Sequence, residues 1–283
     1  MDIRIAKTTL HIGANKTTKF LHITDTHLCR VYESEGEKLV NLGKRRNERA
    51  FGDEEKIEKY FEEALEYAKK NDDLIVYTGD IYDFLSQSNF DYMDMALSQM
   101  DYVYAAGNHD FCTAPGADKE DYDFKIKQIR IVAPHVKSNL LFDSRIINGI
   151  NLITMDNSYY QFTSGQLDML KAETSKGYPV ILFVHNPFYN EQIADDKMSK
   201  DNCAYLVCPP EDLLERYPPE RAEYQRAAEE TNRMLDFILN CDGIKAVFAG
   251  HLHENYEGMI FGKKMQYVTG GTFNGDVREI IIE

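Results

Sequence analysis

Leu74-Ile75-Val76-Tyr77-Thr78-Gly79-Asp80 and Tyr102-Val103-Tyr104-Ala105-Ala106-Gly107-Asn108-His109-Asp110 share one design. Each is a short apolar run that stops at a glycine and is followed by groups able to bind a metal. A β-rich run ending in Gly reads as a buried strand entering a tight turn, where the missing Cβ lets the backbone bend. A carboxylate, an amide or an imidazole at a strand's end needs a charge partner, a hydrogen bond or a metal. The device recurs three times: Phe20–Thr24 before Asp25-Thr26-His27, Pro179–Val184 before His185-Asn186-Pro187, and Ile244–Ala249 before Gly250-His251-Leu252-His253.

Outward from these runs, the pattern alternates helix and strand. Asp53 to Lys70 carries one apolar stripe, Ile57, Tyr60, Phe61, Ala64, Leu65 and Ala68, with acids at its start and Lys69-Lys70 at its end, which complements the helix dipole. Helices are expected within 90–99, at 165–176 and from 219 to 240. Further strands are expected at 3–12, 18–24, 151–155, 256–261, 265–269 and 277–282, with weaker signals at 129–132, 140–143 and 145–147. This is the grammar of an α/β layer fold. The stretches 28–51 and 188–218 read as polar and irregular. The simplest account is a single domain over 1–283 with lid-like insertions near 28–51 and 188–218. The basic cluster Lys44-Arg45-Arg46 with Arg49 reads first as a solvated face, and second as a flap whose cations meet an anionic substrate.

The 283 residues are enough to bury a substantial core, and the formal charge of −15 with a pI near 5.0 repels anionic polymers and membrane surfaces. Long nucleic acid is thereby disfavoured as a partner, and no membrane partner is expected. The start, Met1-Asp2-Ile3-Arg4-Ile5, lacks the apolar centre of a signal peptide. Five scattered cysteines without a CxxC pair fit a reduced, cytoplasmic compartment.

Each turn alone is unspecific, since Gly-Asp is a common turn dipeptide and a lone His after a strand is more often structural. Collected, they hold Asp25, His27, Asp80, Asn108, His109, Asp110, His185, His251 and His253, with five of the chain's eight histidines among them. Strands of one α/β sheet present their ends on a common edge, where ligand sites gather. Such a dense polar cluster is hard to satisfy without metal. Oxygen and nitrogen ligands without thiolate suit Mn²⁺, Fe²⁺/Fe³⁺ or Zn²⁺. Seven ligands are too many for one first-row ion but natural for two that share Asp80 as a bridge. Two metals roughly 3.5–4 Å apart can clamp the oxygens of a phosphoryl displacement. In an extended segment residues i and i+2 point the same way, so Asp-x-His and His-x-His are each expected to aim two ligands at one place.

With Asp25-Thr26-His27, Gly79-Asp80-Ile81-Tyr82-Asp83, Gly107-Asn108-His109-Asp110, His185 and Gly250-His251-Leu252-His253 in that order, the chain resembles the calcineurin-like metallophosphoesterases. The resemblance spans residues 25–253 and implies two mixed β-sheets packed as a sandwich flanked by helices (α/β/β/α). It implies one metal on Asp25, His27, Asp80 and His253 and a second on Asp80, Asn108, His185 and His251. A metal-bridging hydroxide would attack phosphorus, with His109 as general acid and Asp110 holding its imidazole. Phe84 and Asp110 stand where the Ser/Thr protein phosphatases of this group have Arg and Glu, and Asp83 stands where purple acid phosphatases have a Tyr ligand. Both subfamilies are thereby disfavoured. The expected function is a dimetal-dependent hydrolase of a small phosphate ester, a phosphatase or a phosphodiesterase. The alternatives are a catalytically silent scaffold of the same fold that binds protein partners, or a nuclease. Cys29 and Cys112 near the site read as small buried residues or as redox-sensitive ones. Phe188 and Tyr189 are able either to stack on a substrate or to pack.

Overall fold

The computed structural model describes residues 2–71 and 73–283, with the side chain of Arg49 outside the description. The chain opens with β1 (Arg4–Leu10), β2 (Thr18–Ile23), α1 (Glu37–Arg46), a π turn at Asn47–Phe51, α2 (Glu54–Asn71), β3 (Leu74–Tyr77), α3 (Gln87–Leu97) and β4 (Tyr102–Tyr104). It continues through α4 (Tyr122–Val132), β5 (Phe142–Ile147), β6 (Ile150–Met155), α5 (Ser164–Thr174) and β7 (Val180–Phe183). Four helices follow: α6 (Glu191–Asp201), α7 (Glu211–Leu214), α8 (Pro219–Gln225) and α9 (Glu229–Asn240). The last strands are β8 (Ile244–Ala249), β9 (Tyr256–Ile260), β10 (Lys264–Val268) and β11 (Asp276–Ile282).

Among the described residues the strands form two mixed sheets, one of five strands in the order β1-β11-β2-β3-β4 and one of six in the order β5-β6-β7-β8-β10-β9. Within them β2, β3 and β4 run parallel, as do β6, β7, β8 and β10. Side chains alternate across each strand. In β3, Leu74 and Val76 face the other sheet while Ile75 and Tyr77 face the helices; in β7, Ile181 and Phe183 face inward while Val180 and Leu182 face out. The layer between the sheets is built from Phe20, Val76, Val103, Leu152, Ile181, Phe183 and Phe248, with the Phe183 and Phe248 rings stacked at 5.4 Å. The whole stripe of α2 is buried against the first sheet, and α5 and α9 cover the second. The layers are α/β/β/α, and buried on both faces the strands read as continuous apolar runs.

Four expectations differ from the structure. Residues 129–132 are the end of α4, not a strand; Asp121 caps that helix by accepting from the Phe124 N–H at 2.8 Å. The signals at 140–143 and 145–147 merge into the single strand β5. The stretches 28–51 and 188–218 are not irregular: the first holds α1 and the π turn, the second α6 and α7. Each of these helices is anchored by few apolar residues, Leu39 and Leu42 in α1 and Ile193 and Ala194 in α6, so the periodicity is faint. The expected helix over 219–240 is broken into α8 and α9 at Arg226–Ala228, where the Ala228 N–H donates to the Gln161 side chain at 3.0 Å. No helix among the described residues is long and apolar enough to cross a membrane.

Candidate metal centre

The carboxyl ends of β2, β3, β4, β7 and β8 open on one edge of the sandwich, and the expected site residues lie on the turns that follow. Asp25, His27 and His253 form one group whose ligand atoms lie within 4.8 Å of one another, and Asp80, His185 and His251 form a second. Asp25 Oδ1 lies 3.4 Å from His253 Nε2 and 3.7 Å from His27 Nε2. Asp80 Oδ2 stands between the groups, 3.7 Å from His27 Nε2 and 3.2 Å from His185 Nε2. Its other oxygen accepts from the His109 backbone N–H at 2.8 Å. The Asn108 side-chain oxygen is buried on the same turn and makes no hydrogen bond.

The backbone reaches this arrangement by kinks rather than by an extended run. Asp25, His27, Asp80, His251 and His253 all have positive φ, between 51° and 71°. The expectation that i and i+2 converge because the segment is extended is therefore corrected: alternate residues turn inward through left-handed steps. For an L-residue each such step costs about 1–2 kcal/mol, a strain typical of functional sites. The turns also need their glycines. Gly79 has φ of +86°, and a Cβ on Gly107 would run into the Asp80 carboxylate.

The rear nitrogens of the rings are tied down, so the front ones face each other. His27 Nδ1 bonds Asp83 Oδ1 at 3.2 Å, His185 Nδ1 donates to the Thr78 carbonyl at 2.6 Å, and the Tyr160 hydroxyl meets His251 Nε2 at 2.7 Å. This leaves His27 Nε2 and His253 Nε2 3.1 Å apart, and His185 Nε2 and His251 Nδ1 3.2 Å apart. Paired imidazole lone pairs, with a buried Asp25 Oδ1 and Asn108 Oδ1 that lack hydrogen bonds, fit divalent cations. Tyr160, which the sequence reading missed, orients His251 from behind. Tyr160→Phe is expected to weaken metal retention about 10–100-fold with the fold intact, measured by titrating a chelator against the loaded protein.

His109 lines the cavity beside these groups. Its Nδ1 lies 2.8 Å from the Asp83 carbonyl and 3.0 Å from Asp83 Oδ1. Burial works against its charge, but Asp80 and Asp83 outweigh burial and push the imidazole up to about 10. The expectation that Asp110 holds this imidazole is corrected. Asp110 is fully buried and accepts from the backbone N–H groups of Asp80, Ile81 and Gly107 at 3.0, 3.2 and 2.7 Å, which locks the turns after β3 and β4 together. Burial, reinforced by Asp80, pushes its carboxyl up to about 7. Asp83 takes the orienting role because it stands one turn beyond Asp80 and points back. Arg46 of α1 donates to its two oxygens at 2.5 and 2.9 Å, and its guanidinium lies over the Phe51 ring, which stacks on His27 at 4.4 Å. Within the basic cluster, then, Arg46 serves a carboxylate of the site, Lys44 and Arg45 are exposed, and the Arg49 side chain lies outside the described residues.

The sequence model of the family described as calcineurin-like phosphoesterase matches residues 18–255. The chain belongs to that family. Membership places it among metal-dependent phosphoesterases in general. No curated protein matches it. Among solved structures it is similar to a dimetal phosphatase from Danio rerio, at 12% identity over 91% of this chain and 88% of that one, with a TM-score of 0.53. A phosphopantetheinyl hydrolase from Mycobacterium tuberculosis (11% identity, 93% and 92% covered, TM-score 0.45) and a 5'-nucleotidase from Candida albicans (12%, 95% and 47%, 0.43) also match. At 12% identity the likeness to the Danio rerio phosphatase is one of fold.

The rest of this phosphoesterase's site separates packing from chemistry. Phe188 stacks on Phe162 in the core and Tyr189 packs on Phe261, so both are packing residues. Cys29 and Cys112 are buried, and burial pushes both thiols up, away from reactivity. The cavity over these turns, about 270 Å³, is lined by Asp80, His109, His251, Leu252 and His253 together with Lys197, Asp201 and Tyr205 from the 188–218 stretch. Those last three had no motif to mark them.

Proposed function

We propose that the chain is a dimetal-dependent hydrolase of small phosphate esters, one domain whose 28–51 and 188–218 insertions close over the site. Asp25, His27, Asp80 and His253 would hold one cation, and Asp80, Asn108, His185 and His251 the other; Mn²⁺, Fe²⁺/Fe³⁺ or Zn²⁺ suits this set. The observation that carries the reading is the meeting of two His/Asp groups on either side of Asp80, with His109 beside them on the same cavity. When bound, the pair supplies positive charge for the phosphoryl oxygens and a water acidic enough to act as nucleophile at neutral pH. His109, held through Nδ1 by Asp83, keeps its other nitrogen free to hand a proton to the departing oxygen. The Asn108 amide offers a dipole to charge building on those oxygens. Phe51, stacked on His27, keeps water from that flank of the site.

A cavity of this size fits a compact substrate rather than a polymer, and the net charge of −15 adds repulsion against nucleic acid. The five unpaired cysteines accord with a reduced, cytoplasmic setting. Purified protein loaded with Mn²⁺, Fe²⁺ or Zn²⁺ is expected to hydrolyse 4-nitrophenyl phosphate and to lose that activity on chelation. Chelation is also expected to lower Tm by about 10–20 °C, because each of two ions at a hundred times its Kd contributes about 2.7 kcal/mol. A protein that takes up each of these metals yet turns over no phosphate ester would sink the proposal.

A further inference from the structure

Lys197 is a buried lysine, 5% exposed, on α6 of the 188–218 stretch. The helix is fixed firmly. Asn190 caps it by accepting from the Ile193 N–H at 3.1 Å and donates to the Met259 carbonyl at 3.0 Å. Ile193 and Ala194 belong to the same apolar cluster as Leu252, and Lys197 follows one turn later on the same face. Its ammonium donates to the Leu252 carbonyl at 3.0 Å and to Glu254 Oε1 at 2.9 Å. Leu252 sits between His251 and His253, so this bond registers the ammonium against the metal-binding turn.

An ammonium has three N–H donors, and two are accounted for. Glu254 has a second cation as well, since Lys200 reaches its Oε2 at 3.0 Å. Among the described residues Lys197 is the only Lys or Arg on the wall of the cavity that holds Asp80, His109, His251 and His253. This buried ammonium, with one N–H not given to a carbonyl or carboxylate, lines the cavity in which a phosphoryl group would sit, with Asp201 of the same helix also on that wall.

We propose that Lys197 binds a non-bridging oxygen of the substrate's phosphoryl group and biases the site toward dianionic monoesters over monoanionic diesters. This rests on the phosphoester-hydrolase reading above. The dianion carries one more negative charge and keeps a terminal oxygen that a diester has alkylated, so it gains more from the extra cation.

The test uses metal-loaded protein and two variants. Lys197→Gln keeps an N–H for the Leu252 carbonyl without the charge, and Lys197→Arg keeps the charge. Metal content, affinity for inorganic phosphate by calorimetry, and kcat/KM for 4-nitrophenyl phosphate and methyl 4-nitrophenyl phosphate are measured for each. K197Q is expected to keep its metals, to bind phosphate about 10–100-fold more weakly, and to lose at least about tenfold more on the monoester than on the diester. K197R is expected to recover most of both losses. Unchanged phosphate affinity, or equal losses on the two esters, overturns the proposal. Metal lost from K197Q assigns Lys197 to fastening α6 and overturns it as well. If the wild type hydrolyses neither ester, the hydrolase reading fails, while the phosphate titration still decides the contact.

Discussion

His109→Ala is expected to keep its full metal complement and to lose about 10²–10⁴ in kcat on alkyl phosphates, the usual worth of a positioned acid. On 4-nitrophenyl phosphate, whose leaving group needs little help from a proton, the loss should be far smaller. Asp83→Asn should reproduce that pattern in part, because Asp83 Oδ1 lies 3.0 Å from His109 Nδ1. Asp83 also holds His27 and accepts from Arg46, so some metal should go with it. Asp110→Asn should instead lower stability, since its carboxylate ties together backbone N–H groups of both turns. Rates on a series of leaving groups, read beside metal analysis, separate the three. An equal loss for good and poor leaving groups in His109→Ala would remove it from the acid role.

Asp80→Asn is expected to have the larger consequence for the centre. The substitution is isosteric, and the new side-chain oxygen still accepts from the His109 N–H, so the fold should stand. The charge that faces both His27 and His185 is gone. Metal analysis should show both cations depleted together, and turnover should fall by about 10³ or more, the several kcal/mol that bound metals contribute. Loss of a single ion with the other retained at full occupancy would refute a shared role for Asp80.

How much of this was legible follows from burial. Strands β3, β4, β7 and β8 lie between a second sheet and a helix layer, so nearly every residue is apolar and each run announces itself up to the turn that ends it. Those turns carry Asp80, Asn108, His185, His251 and His253, which is why the candidate ligands could be picked out together with the strands that bear them. Helices α1, α6 and α7 were not, because most of their surface lies in water and few apolar residues mark them. The pattern of partners was hidden for another reason. Asp83 and Asp110 are both acids placed three residues from an expected ligand or next to His109, and only the fold decides which one points at the imidazole and which at backbone amides. Tyr160 follows a strand end, Asp156-Asn157-Ser158, that supplies no expected ligand, so nothing in its surroundings drew notice.

Asp25, His27 and Asp80 stand on turns of the first sheet, whereas His185, His251 and His253 stand on turns of the second. Ions gripped by both sets would therefore act as rivets through the two halves of the sandwich. The halves could not slide or peel apart until the rivets left, which would make the lifetime of the loaded protein a question of how slowly cations escape rather than of how tightly the apolar layer is packed.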